Sequence, residues 1–186
     1  MKKMIAFSSP SGGGKSTIVK KLLNDCTNLI LSVSATTRSP RPGEIDGVHY
    51  HFISYAQFKE LIDTNKLIEW EEIFGNYYGT PKTELEKITG NQCLVFDIDV
   101  KGALSIKNNY PDESLLIFIA PPSLEMLEQR LRNRSTDSEE QIKYRLKRAE
   151  FELSFKDYFD EIIVNDDLEI AYQKVKEIIK ANTNCC

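Results

Sequence analysis

Short apolar runs alternate along the chain with stretches in which apolar residues recur at helical spacing. The run Met4-Ile5-Ala6-Phe7 predicts a short buried strand, and Ile18, Val19, Leu22 and Leu23 predict a helix over about 15–25. A second strand is expected over 29–33, followed by a polar loop over 34–43 that Pro40, Pro42 and Gly43 keep irregular. Alternation over 48–53 predicts a strand, and Ser54 with Gln57 forms a capping-box pattern that opens a helix carrying Phe58, Leu61 and Ile62. The stretch 67–74 reads as a strand that Gly75-Asn76 turns into a hairpin partner through Tyr77-Tyr78, with a short helix after Pro81. Buried strands are then expected over 92–99 and 115–119, with a helix over 100–109 between them. Ser123 caps a helix bearing Leu124, Met126, Leu127 and Leu131, and Ser138 with Gln141 opens a long helix toward Phe155. A last strand covers 162–164, and Asp166 or Asp167 caps a final helix with Leu168, Ala171, Val175, Ile178 and Ile179 on one face.

Alternating strands and helices around a β-rich middle predict an α/β fold, a parallel sheet with helices on both faces. The core is expected over 1–33 and 91–186, with a mostly antiparallel sheet inserted over 34–90. At 186 residues the chain is long enough for a substantial core, and 41% hydrophobic with 28% charged residues is ordinary for a soluble globular protein. Net charge −4 argues against general binding to nucleic acid or a membrane surface, so an anionic ligand has to be met by local Arg and Lys clusters. No apolar run is long enough for a membrane span, and the chain opens on a strand rather than a signal-peptide apolar region. Cys26, Cys93, Cys185 and Cys186 show no C-x-x-C spacing. Reduced thiols in a cytoplasmic protein are expected, with Cys93 in the core and Cys185-Cys186 on an untethered tail that does not fit C-a-a-X. His49 and His51 alternate along a strand without further metal-ligand partners nearby.

The chemistry concentrates first between Ile5 and Thr17. A strand passes through Ser8-Ser9-Pro10-Ser11 into Gly12, Gly13 and Gly14, then Lys15-Ser16-Thr17 at the mouth of a helix, which is the P-loop arrangement. Backbone N–H groups of the glycine stretch can converge on a phosphate, and the helix N-terminus adds unpaired N–H groups and a positive dipole end. Lys15 is placed to bridge β- and γ-phosphates and the Ser16 hydroxyl to ligate Mg2+, with Asp97 a second metal candidate. The consensus would put its first glycine at position 9, where this chain has Ser9. A positive φ there would cost about 1–2 kcal/mol, so the backbone is expected to avoid it.

With this loop, the segments SVSATTRSPRPGEIDGVHY, LIEWEEIFGNYYGT, LVFDIDVKGA, FIAPPS and VNDD make the chain resemble guanylate kinases from about residue 4 to 180. The resemblance implies transfer of the ATP γ-phosphoryl group to GMP, giving ADP and GDP in purine nucleotide metabolism, with Mg2+ as cofactor. It also implies a P-loop NTPase core, a GMP-binding domain over 34–90 and a helical lid at about 130–146. ATP is then expected on Ser11, Gly12, Gly13, Gly14, Lys15, Ser16, Thr17, Arg130, Arg134 and Asn165. GMP, and as an open question dGMP, is expected on Ser34, Arg38, Arg41, Tyr50, Glu69, Tyr78, Thr80 and Asp99. Lys15, Arg134 and Arg145 are the candidate catalytic residues, whereas Arg132, Lys143, Lys147 and Arg148 read as ordinary helix-face charges. The family usually carries glycine after the lid arginine, where this chain has Ser135.

One carboxylate, Glu69, can take both guanine donors, N1–H and the N2 amine, while adenine offers no proton at N1. Two alternatives stay open: a kinase-like binding module without catalysis, and a kinase of this fold acting on another acceptor such as AMP, UMP or a ribose bisphosphate. No nucleic-acid or membrane partner is expected, and the sequence leaves the choice between monomer and homo-oligomer open.

Overall fold

A computed structural model describes residues 1–73, 75–133 and 138–186. The central sheet joins β1 (Met4–Ser8), β2 (Leu29–Leu31), β7 (Cys93–Asp97), β8 (Ser114–Ala120) and β9 (Glu161–Val164), all parallel, in the order β2-β7-β1-β8-β9. Period-two alternation splits its side chains between two cores. Ile5, Phe7, Leu115, Ile117 and Ile119 pack against α1 (Lys15–Asp25) and α6 (Leu168–Asn182). Met4, Ala6, Leu116 and Phe118 face the side that holds α3 (Val100–Asn109), and Leu153 and Phe155 cover part of that core. The strands read as apolar runs because helices cover both faces.

A second sheet, ordered β4-β3-β6-β5, is built from β3 (Ala35–Thr36), β4 (His51–Phe52), β5 (Leu67–Ile73) and β6 (Asn76–Pro81). Here β5–β6 and β3–β6 are antiparallel but β3–β4 is parallel, so the inserted sheet is mixed. The strand expected over 48–53 shrinks to His51–Phe52, because the preceding residues turn, with Gly47 N donating to Tyr50 O and His49 N to Ile45 O. This sheet has its own small core, in which Phe58 of α2 (Tyr55–Asp63) packs with Ala35 and Leu67.

Both capping boxes form. Ser54 accepts from Gln57 N at the start of α2, and Ser138 does the same for Gln141 N at the start of α5 (Glu139–Leu153). Ser123 Oγ accepts from Met126 N at the start of α4 (Leu124–Asn133), whose Leu127 and Leu131 pack on Ala149 of α5. Asp167, not Asp166, caps α6. Two expectations for α6 fail. Leu168 is exposed, because the helix turns Ala171, Tyr172, Val175 and Ile179 inward instead. The residues after it are not a free tail: Cys185 is buried and disulfide-bonded to Cys93, and Cys186 to Cys26. The cysteines are therefore paired rather than reduced, because the end of α6 brings the tail to the end of α1 and the start of β7.

Truncating the side chain at the centre of the inserted sheet's core tests its separate packing. Phe58→Ala is expected to cost about 3–5 kcal/mol locally. Faster hydrogen exchange confined to β3–β6, with the central sheet unchanged, is the expected result.

Candidate active site

The C-terminal ends of β1, β7 and β9 deliver the groups of one cleft, the position where open parallel sheets bind ligands. Phe7 and Asp97 are register partners on β1 and β7, so the glycine loop and the two acids at the end of β7 leave the sheet side by side. Gly14 holds φ 95° at the mouth of α1, and a Cβ there would sit 2.1 Å from Asn165 Nδ2. That asparagine is buried and donates through Nδ2 to Gly13 O at 2.8 Å. Among the described non-glycine residues only Asn65 has positive φ, so Ser9 replaces the consensus glycine without that strain. Its hydroxyl turns into its own loop, donating to Pro10 O at 3.1 Å.

Asp97 gathers the ammonium and the hydroxyl from the start of α1. Lys15 forms an ion pair with it, and Ser16 Oγ donates to its Oδ2 at 3.0 Å. Lys15 Nζ also donates to Ile98 O at 3.0 Å, which aims the ammonium across the loop. The donor set of Ser16 and Asp97 is hard oxygen, of the kind Mg2+ prefers. From α5, Arg145 Nη1 donates to Ser11 Oγ at 3.3 Å, placing a guanidinium over the glycine loop. From α4, Arg130 Nη2 donates to Asn165 O at 2.9 Å. Arg134 lies outside the described residues.

The inserted sheet contributes the opposite wall. A register shift in β5 between Leu67 and Glu69 breaks the strict alternation, so Leu67, Ile68 and Glu69 are all buried. Thr80 Oγ1 donates to Glu69 Oε1 at 2.7 Å, and Ser34 Oγ lies 3.0 Å from Thr80 Oγ1. Glu69 is only 6% exposed. Burial pushes its carboxyl up to about 7 against the pull of the Thr80 hydroxyl, and Asp99 nearby adds to the rise. Asp99 caps α3 by accepting from Gly102 N at 2.8 Å. A Cβ at Gly102 would come within 2.9 Å of Glu69 Oε2 and 3.2 Å of Asp99 Oδ1, so a side chain there would displace the Glu69 carboxylate. No sequence pattern singled out that glycine, because the close approach is between elements far apart in the chain.

Arg38 is engaged by Glu44 through both terminal nitrogens, at 3.0 and 2.9 Å. Those bonds hold Glu44 down at about 2 and raise Arg38 above its ordinary value. Arg38 also lies over the Tyr50 ring at 5.5 Å, and Tyr50 meets Tyr78 edge-on with centroids 6.0 Å apart. Burial raises the Tyr50 hydroxyl, with Tyr78 next in effect. Glu44 accepts from Arg41 N at 2.7 Å as well, so it organises the loop that carries both arginines. Sequence reasoning missed Glu44, although its place three residues after Arg41 was the available signal.

These groups line a common cavity of about 560 Å³. Of the expected residues, Ser11, Gly12, Gly14, Lys15, Ser16, Thr17, Ser34, Tyr50, Glu69, Tyr78, Asp97, Asp99 and Arg145 reach its wall. Gly13, Thr80, Arg38, Arg41, Arg130 and Asn165 do not line it, although Thr80 bonds to Glu69 on its wall and Asn165 to Gly13 of the glycine loop. Arg148, expected as a helix-face charge, lines the cavity instead. Its Nε donates to Glu152 Oε1 at 2.9 Å. Glu152 is buried, which pushes its carboxyl up, and among the described residues its Oε2 has no hydrogen-bond partner. His49 and His51 are outside this cluster: His49 Nδ1 accepts from Ile45 N, and His51 Nε2 lies 3.9 Å from buried Glu84. No group of three metal-ligating His, Cys, Asp or Glu side chains occurs among the described residues, and no described helix is long and apolar enough to cross a membrane.

Residues 1–182 match the family model described as guanylate kinase. A guanylate kinase of Rickettsia felis is 51% identical over 180 residues, covering 96% of this chain and 93% of its own length. One from Maricaulis maris is 50% identical over 179 residues, covering 96% of this chain and 82% of its own length. Among solved structures, guanylate kinase from Anaplasma phagocytophilum superposes with a TM-score of 0.79 at 34% identity, over 98% of this chain and 87% of that one.

The raised Glu69 carboxyl makes stability depend on pH with a definite sign. Between its unfolded value near 4.5 and about 7, the native state keeps a proton that the unfolded state has lost. Stability of the ligand-free protein therefore falls as pH rises through this window and stops falling from this cause above it. Urea titrations across pH 4.5–8 should show that component in the wild type and lose it in Glu69→Gln. Superimposable profiles would assign the titration elsewhere.

Proposed function

The chain belongs to the guanylate kinase family, and from that premise we propose how its own residues transfer a phosphoryl group from ATP to GMP. The observation that carries the assignment is the convergence, in one cleft, of a Lys15–Ser16–Asp97 cluster with a buried Glu69–Thr80–Ser34 cluster. The first suits a nucleoside triphosphate and the second a guanine.

Segment 34–90 serves as the GMP-binding unit, and segments 1–33 and 91–186 serve as the ATP-binding core. The ATP phosphates lie against residues 11–17, where backbone N–H groups and the start of α1 meet them. Lys15 leaves Asp97 for the β- and γ-oxygens. Ser16 and Asp97 would hold Mg2+, which would supply positive charge against the phosphates. Arg130 and Asn165 support the adenine side through their contact with each other and with Gly13.

On the other wall, Glu69 accepts from guanine N1–H and the N2 amine, with Ser34, Thr80 and Asp99 completing the base site. Tyr50, Tyr78, Arg38 and Arg41 receive the GMP phosphate, whose oxygens take over the Arg38 donors that Glu44 now occupies. A guanine at Glu69 favours the ionised carboxylate, so GMP binding below pH 7 drives a proton off it.

No general base is needed, because the attacking phosphate oxygen is already anionic. Lys15 and Arg145 offset charge on the moving group, and the two walls exclude water and set the in-line approach. The substrates are small molecules, and we place the activity with the nucleotide pools of the cytoplasm.

ADP formation with ATP and Mg2+, compared across GMP, AMP, UMP and no acceptor, tests the assignment. Strong turnover with GMP alone is expected, and a protein that binds GMP but transfers to nothing would overturn it. Lys15→Ala should lower kcat by about 10³-fold while leaving GMP affinity within about threefold. Loss of GMP binding in that variant would contradict the division of roles. Glu69→Gln should cut the GMP-over-AMP ratio of kcat/KM by about 10²-fold, since the amide can no longer accept both guanine donors. An unchanged ratio would remove Glu69 from the base site.

A further inference from the structure

All four cysteines of the chain meet at one place, at the opposite end of the central strands from the cleft. Cys26 ends α1, whose other end carries Lys15 and Ser16. Cys93 is the first residue of β7, whose last residue is Asp97. Leu29 N donates to Cys26 O, and Leu29 is the register partner of Cys93, which sets the two cysteines on neighbouring segments.

Cys185 and Cys186 arrive after α6, where buried Thr183 turns the chain inward. Its hydroxyl donates to Ile179 O at 2.7 Å and accepts from Cys185 N at 3.3 Å. The pairs Cys26–Cys186 and Cys93–Cys185 have Cα separations of 4.9 and 5.9 Å, inside the range a disulfide spans. They close separations of 160 and 92 residues.

We propose that these four cysteines form a thiol–disulfide exchange site that fastens residues 183–186 to the core, closed by small disulfides and opened by dithiols in a fixed order. The order follows from burial. Cys26, Cys93 and Cys185 are buried, whereas Cys186 is partly exposed and is the sulfur an incoming thiolate reaches.

Attack on Cys186 Sγ breaks the Cys26–Cys186 bond, gives a mixed disulfide and leaves Cys26 as a thiolate that takes up a proton. The second thiol of the dithiol then displaces Cys186, so the reductant leaves as its cyclic disulfide and two electrons and two protons have passed to the pair. Cys93–Cys185 opens only after the outer residue has swung away. Both chemical states suit the site. When reduced, the Cys93 thiol has an acceptor, since its Sγ lies 3.6 Å from Lys2 O. Closure runs the other way, with oxidised glutathione accepting the two electrons per pair. In a reducing cytoplasm such a site reports oxidant load. The nucleotide groups lie at the opposite ends of the same elements, so turnover at 25 °C is unchanged between the two states while resistance to heating is not.

The test oxidises the full-length protein with oxidised glutathione, exposes it to dithiothreitol for graded times, quenches with iodoacetamide, and reads intact mass, peptide maps and Tm. The oxidised form should carry no label, weigh about 4 Da less than the unlabelled reduced chain, and melt about 10 °C higher. At intermediate times the label should appear on Cys26 and Cys186 before Cys93 and Cys185. Cys186→Ser should abolish the first step and leave Cys26 labelled with Cys93–Cys185 intact, and Cys185→Ser should leave only the outer pair. Four labelled thiols in excess oxidised glutathione, simultaneous opening of both pairs, or equal Tm in the two states would each overturn the proposal. So would one zinc ion per chain released by a thiol-blocking mercurial, which would make the cluster a tetrathiolate metal site instead.

Discussion

Asp97 is the group on which the cleft at the strand ends depends. It stands at the end of β7 beside β1, and it holds the Lys15 ammonium and the Ser16 hydroxyl together. The ion pair is partly shielded, with the lysine side chain 15% exposed and the aspartate 28%. Burying a lysine without a partner would be costly, so the parallel register of β1 and β7 is what lets a cation wait in the cleft. The rest of that wall is arranged around the same strand ends: Asn165 after β9 fastens the glycine loop, and Arg145 of α5 rests on Ser11.

The opposite wall follows a different physical rule. Glu69 is a carboxylate in an environment that disfavours its charge, kept there by Thr80, Ser34 and the close face of α3 at Gly102. A buried acid with one oxygen satisfied by a hydroxyl is well placed to select a ligand that donates twice. Hydrogen-bond selection of this kind is strong because a mismatched ligand leaves buried polar atoms unpaired. Arg38 is held in a comparable way, since Glu44 engages both terminal nitrogens and fixes the plane of the guanidinium.

Much of the architecture was legible from one-dimensional pattern because local physics produced it. The boxes at Ser54–Gln57 and Ser138–Gln141 start their helices where the sequence puts them, since both partners lie within one turn. The apolar runs at β1, β7 and β8 are buried on both faces, as runs without polar alternation must be in a covered parallel sheet. Reading failed where the outcome depended on a distant partner. The strand expected over 48–53 was cut to two residues by its own turn and by the short β3 available to pair with it. Leu168 satisfied helical spacing, yet the packing of α6 on α1 chose Tyr172 instead. Arg148 looked like any other helix charge until α5 was laid along the cleft and buried Glu152 beneath it.

The sequence alone determined the glycine loop and its strand and helix, the order of elements, the family resemblance and most of the residues that reach the cleft. These are short-range or motif-encoded properties, fixed by backbone freedom, capping and side-chain period within a few residues. Only the tertiary structure decided that Glu69 is buried with its carboxyl raised to about 7, that Glu44 occupies Arg38, that Gly102 lies against the Glu69 carboxylate, and that a seemingly loose tail is bonded to Cys26 and Cys93. Each of these depends on the environment created when segments tens of residues apart are packed within a few ångströms, and neither desolvation nor contact distance is written in the spacing of residues along the chain.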